Sequence, residues 1–109
     1  MEAPSGTGEI AVIETPDLTT VRLSGEVDAS LREDADEAWE RLVRREVAVV
    51  VDCTDLTFID SSGLGFVIRC GDRGQILGLP VTLVAPSPLV LRMLMVLGVE
   101  HLFEVRATA

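Results

Sequence analysis

Basic residues are scarce in this chain: nine arginines and no lysine stand against eighteen acidic residues, for a net charge of −9 over 109 residues. A nucleic-acid backbone or an anionic membrane would repel such a protein, so a protein partner with a basic or mixed surface fits better. Histidine is scarcer still, with only His101 near the end of the chain. An enzyme needs a nucleophile, a base and a stabilising group, and His101 could act as the base only through a long-range contact made by folding. The Gly-x-Ser-x-Gly nucleophile turn is missing, because Ser61 and Ser62 follow Ile59 and Asp60. No Gly-Lys-Ser/Thr phosphate loop occurs, and Gly63-Leu64-Gly65 has no third glycine at the required position, so nothing points to nucleotide binding by the chain alone. Asp52, Asp55, Asp60 and Asp72 lack the spacing of a calcium loop and read as solvated loop carboxylates. The expectation is a non-enzyme with no catalytic residue, no metal and no cofactor.

Cysteine is limited to Cys53 and Cys70, too far apart for a Cys-x-x-Cys redox pair or a zinc knuckle. Both lie in apolar stretches, where two buried thiols are expected and a regulatory disulfide is the alternative. The first residues, Met1 to Gly8, are polar and acidic and lack the basic and apolar regions of a secretory signal; they read as a flexible segment of a cytoplasmic chain. The apolar run Leu89 to Leu97 is too short to span a bilayer and is interrupted by Arg92, which argues against membrane insertion. Core packing explains one side of that run. Its surplus apolar face, with Met93 and Met95, could also meet a partner or a second copy in a homodimer. No repeat or low-complexity tract appears, and the length suits one domain that needs neither disulfides nor metal.

Periodicity orders the elements. Glu9 to Glu14 and Thr19 to Gly25 read as two strands of a hairpin turned by Thr15-Pro16-Asp17-Leu18. From Ala29 to Arg45 apolar residues recur at helical spacing, with Glu37–Arg41 and Glu40–Arg44 as i, i+4 pairs on the other face. Val47 to Asp52 reads as a strand buried on both faces, Leu64 to Leu77 as a helix stopped by Gly78, and Pro80 to Ala85 as another strand. Ser87 with Pro88 opens a short helix from Leu89 to Leu97, Gly98 ends it, and Leu102 to Val105 is a last strand. Alternation after a hairpin predicts an α/β domain with a mixed, mainly parallel sheet and helices packed on it.

The most informative stretch is Leu56-Thr57-Phe58-Ile59-Asp60-Ser61-Ser62-Gly63-Leu64-Gly65. It sets two hydroxyls between a strand and a helix N-terminus, where either serine can cap the helix and where a phosphate on either would meet the positive end of the helix dipole. Gly25-Glu26-Val27-Asp28, the Asp60–Gly65 block and Arg92 to Val99 occur in an order and spacing that resemble the STAS domain family, and within it the bacterial anti-sigma factor antagonists, over about Glu9 to Val105. The resemblance implies a STAS domain over residues 9–106. It also implies phosphorylation of the first serine after the aspartate, Ser61 with Ser62 as fallback, by a partner that is both anti-sigma factor and serine kinase. Partner contact would then involve Asp28, Asp60, Ser61, Ser62, Gly63 and Leu64, with Gly63 and Gly65 allowing close backbone approach. A phosphoserine phosphatase would reset the switch, and sigma-factor-dependent transcription would be its output. The alternatives are a STAS subunit of a transporter or lipid-trafficking complex, and a small enzyme.

Overall fold

The computed structural model describes residues 8–108. The flexible segment expected over residues 1–8 therefore lies, except for Gly8, outside the described residues. Strands β1 (Glu9–Thr15) and β2 (Leu18–Val27) form the expected antiparallel hairpin, in a register running from Glu9 opposite Ser24 to Thr15 opposite Leu18. Pro16 and Asp17 alone make the turn, because proline presets the backbone angle that the first turn residue requires.

Helix α1 (Arg32–Val43) is shorter than the periodicity suggests. At its start the Asp28 carboxylate accepts the Ser30 N–H at 3.0 Å and folds Ala29–Leu31 into a 3₁₀ turn. At its end the helix stops before Arg45, whose guanidinium turns back to the hairpin corner. There it donates to the Leu18 carbonyl at 3.0 Å, the Thr19 hydroxyl at 2.9 Å and the Thr15 carbonyl. The expected Glu37–Arg41 and Glu40–Arg44 pairs do not form among the described residues. Arg41 reaches Glu14 of β1 at 3.3 Å instead, a choice open to it because an exposed i, i+4 pair offers only about 0.2–0.5 kcal/mol.

Strand β3 (Ala48–Ile59) is twice the expected length, since β2 keeps pairing with it as far as Val27 opposite Ile59. Register shifts near Arg22 and Gly25, the latter at φ +66°, bend the two strands together. Strand β4 (Val81–Val84) meets β3 only over Val49–Asp52, so the second half of β3 projects past β4 and carries the chain to α2 (Ser61–Leu77). The valine run expected to be buried on both faces alternates: Val49 and Val51 are buried and Val50 is half-buried, so one face of β3 is sealed and the other only partly covered.

Gly78 ends α2 at φ +71°, as the sequence predicts. Helix α3 (Pro88–Val96) is capped by the Ser87 hydroxyl, which accepts the Val90 N–H at 3.2 Å, and Pro88 takes the first helical position. A 3₁₀ turn at Glu100–Leu102 leads to β5 (Glu104–Arg106). Among the described residues the five strands make one sheet in the order β1-β2-β3-β4-β5, antiparallel only between β1 and β2, with a helix in each parallel crossover. Val21, Leu23, Val51 and Leu83 of the sheet share one core with Leu42 of α1, Val67 and Cys70 of α2 and Leu94 of α3. Both cysteines are buried and free. On α3, Val90 and Leu94 face the core while Leu89, Met95 and Val96 are exposed.

Candidate functional site

The projecting end of β3 delivers Asp60 to the start of α2, and the Asp60 N–H is stitched to the Val27 carbonyl at 3.1 Å. Its carboxylate does the capping that the sequence assigned to the serines. One oxygen accepts the Ser62 N–H at 3.0 Å, the Gly63 N–H at 3.1 Å and the Ser62 hydroxyl at 2.7 Å. The reason is position: an aspartate one residue ahead of the helix reaches both orphan N–H groups, which leaves Ser61 and Ser62 as the first two helical residues. The Ser62 hydroxyl bond and the Gly63 N–H, with lesser help from the Ser62 and Ala29 N–H groups, hold the Asp60 carboxyl below its usual range against the opposing effect of desolvation. Asp60 is therefore an anion at neutral pH.

The two serines are no longer equivalent. Ser62 spends its hydroxyl proton on Asp60, whereas the exposed Ser61 hydroxyl has no hydrogen-bond partner among the described residues. Asp28, at the end of β2, accepts the Ser30 N–H and the Ser30 hydroxyl, the latter at 2.5 Å, and so presents its charge from a fixed turn. Asp28, Ser61 and Ser62 line one cleft of about 610 Å³ between the N-terminal parts of α1 and α2.

Gly63 and Leu64, grouped with the partner-facing residues in the sequence, are both buried, and only Gly63 still borders the cleft. Leu64 belongs to the core. A Cβ on Gly63 would stand 2.7 Å from Ile59 Cγ1, 2.9 Å from Val27 Cγ1 and 3.0 Å from the Val27 carbonyl oxygen, so the backbone this glycine admits is the chain's own β2. A Cβ on Gly65 would meet nothing within 4 Å, and Gly65 opens onto the cleft. The sequence reading missed Arg32 and Arg69, which line the same cleft, and the stacking of Arg69 over the Trp39 ring at 4.2 Å. The helical spacing of Arg32, Asp36 and Trp39 was the signal that could have shown the α1 wall.

The other candidates lie elsewhere. Burial pushes Asp52 up, but the Thr54 hydroxyl at 2.6 Å, the Thr54 N–H at 3.0 Å and Arg22 at 3.9 Å together leave its carboxyl below the ordinary value. His101 lines a separate cleft with Gly74, Leu79 and Phe103, and the two clefts share no lining residue. No helix among the described residues is long and apolar enough to cross a membrane.

Comparison with known proteins gives a consistent result. The STAS domain family model matches residues 9–109. A STAS-domain containing protein of Pseudomonas aeruginosa (strain UCBPP-PA14) is 29% identical over 86 residues, covering 79% of this chain and 85% of that one. The fold matches the crystal structure of an anti-sigma factor antagonist from Mycobacterium paratuberculosis with a TM-score of 0.76 at 20% identity, covering 98% of this chain and 92% of that one. It also matches the Bacillus cell fate determinant SpoIIAA in its phosphorylated form, with a TM-score of 0.71 at 20% identity over 88% of this chain and 89% of that one.

Proposed function

The chain belongs to the STAS domain family, and from that membership we propose that it is an anti-sigma factor antagonist gated by phosphorylation of Ser61. Unmodified, it binds an anti-sigma factor that is also a serine kinase, acts in the cytoplasm, and so frees a sigma factor for transcription. The observation that carries the reading is the Ser61 hydroxyl: exposed, without a hydrogen-bond partner among the described residues, and directly after an aspartate whose carboxylate is already occupied by Ser62 and Gly63. The kinase would move the γ-phosphoryl group of ATP onto Ser61 Oγ. The new P–O bond forms as the bond to the ADP leaving group breaks, and the hydroxyl proton passes to a base on the kinase. Asp28, Asp60, Ser61 and Ser62 form the contact surface, while Gly63 and Leu64 support it from behind by fixing α2 against β2.

The gate is electrostatic. A phosphate adds about −1.5 to −2 charge beside Asp28 and Asp60, on a surface that must be desolvated when the partner docks. A phosphoserine phosphatase restores the neutral hydroxyl. Calorimetric titration of the kinase partner with Ser61→Asp and Ser61→Ala tests this, with circular dichroism to confirm that both variants are folded. The Asp form is expected to lose about 2–5 kcal/mol, because it buries an uncompensated carboxylate. Ser61→Ala is expected to bind within about 1 kcal/mol of wild type, since the hydroxyl it removes makes no bond that the fold uses. Equal affinities for the two variants would place the gate elsewhere.

A further inference from the structure

The cleft beside Ser61 holds two guanidinium groups, those of Arg32 and Arg69, that make no ion pair among the described residues. Among the described residues neither Arg32 nor Arg69 has a carboxylate within ion-pair distance, although the protein carries twice as many acidic as basic side chains. Arg22 and Arg41 are in ion pairs and Arg45 and Arg73 bond to backbone carbonyls; Arg44, Arg92 and Arg106 are also without a side-chain partner among the described residues, but only Arg32 and Arg69 line this cleft. Arg69 lies with its face on Trp39, which leaves its N–H edge free to donate. Arg32 approaches the cleft from the first turn of α1 and Arg69 from about two turns beyond Ser61 on α2, and Gly65, one turn beyond Ser61 on the way to Arg69, carries no side chain to fill the space.

We propose that this cleft is the seat of the phosphorylated Ser61 side chain: Arg32, with Arg69 behind it, donates to the phosphate oxygens and draws the modified residue against α1. The proposal rests on Ser61 being the modified residue and adds what becomes of the phosphate. The phosphorylated state is then a held conformation in which the phosphate is partly neutralised and the cleft is filled. Release of a partner follows from occlusion of the cleft as well as from repulsion. The guanidinium fork suits the task, since it can give two parallel N–H bonds to one phosphate.

The test avoids the kinase by introducing phosphoserine at position 61 of the full chain during translation. The second ionisation of the phosphate is then followed by ³¹P NMR. Asp28 and Asp36 in the cleft and Asp60 next to Ser61 in the chain raise that ionisation from its free value of about 6, and Arg32 and Arg69 lower it. The comparison between variants isolates the arginines. Arg32→Gln is expected to raise the value by on the order of half a unit, Arg69→Gln by less, and Arg32→Lys to fall between wild type and Arg32→Gln. Arg92→Gln, at an exposed position of α3 outside the cleft, is the charge control and should leave the value unchanged. A broad-specificity phosphatase should remove the phosphate several-fold faster from the Arg32→Gln protein. An unchanged ionisation in the Arg32→Gln, Arg69→Gln double variant, or an equal shift in Arg92→Gln, would overturn the proposal. Such a result leaves the choice of Ser61 standing, because that is decided separately by mapping the site that the kinase modifies.

Discussion

Two glycines of one helical turn should respond to the same substitution in opposite directions. Gly63→Ala places a methyl group 2.7 Å from Ile59 Cγ1, 2.9 Å from Val27 Cγ1 and 3.0 Å from the Val27 carbonyl oxygen. The side chains can shift, but the carbonyl accepts the Asp60 N–H that joins β2 to the junction and cannot move without breaking that bond. Overpacking of this kind costs about 1–3 kcal/mol, offset by up to about 1 kcal/mol of helix propensity, so a net loss of about 1–2 kcal/mol is expected. Gly65→Ala meets open space and keeps the propensity gain of about 0.5–1 kcal/mol. The two variants should differ by about 2–3 kcal/mol, or roughly 10 °C or more in Tm for a domain of this size. Urea unfolding read from the single tryptophan, Trp39, and from far-UV circular dichroism measures both. Destabilisation of both proteins, or of neither, would refute the placement of α2 against the end of β2.

Arg45→Ala should lose about 1–3 kcal/mol in the same urea assay, because the Thr19 hydroxyl, fully buried, is left without its 2.9 Å donor. Cys53 and Cys70 should react with thiol reagents at pH 8 only at the rate of unfolding: burial, with the Asp52 charge adding to it, pushes Cys53 up to about 11, and burial pushes Cys70 up to about 12 against the opposing charges of Arg69 and Arg73. A rapid reaction in native buffer would contradict this. The Asp60 carboxyl is depressed in the folded protein, so its stabilising effect is complete above the ordinary carboxylate value and disappears as the pH falls through the lower folded value. Acid unfolding of Asp60→Asn should therefore show a shallower loss of stability below about pH 4 than wild type, and superimposable profiles would remove the cap from the account.

The hairpin, the alternation of helix and strand, the Gly78 stop and the Ser87-Pro88 start were legible in the sequence because each rests on a local rule: proline at a turn, glycine where φ must be positive, a hydroxyl one residue ahead of a helix. The junction at residues 60–65 was also legible as a place, since an aspartate and two serines between a strand and a helix are informative by themselves. The roles within it were decided only by tertiary structure. Asp60 became the cap, Ser62 was tied to it, and Ser61 was left free because β2 holds the Asp60 N–H and sets where the helix begins. The length of β3 depended on how far β2 runs beside it, and the choice of Glu14 by Arg41 on a strand twenty-seven residues earlier in the chain. The pairing of Arg32 with Arg69 across one cleft is of the same kind. Periodicity places a residue on the face of its own element, but which faces meet is set by the packing of α1 and α2 over the sheet, and no local spacing encodes that distance.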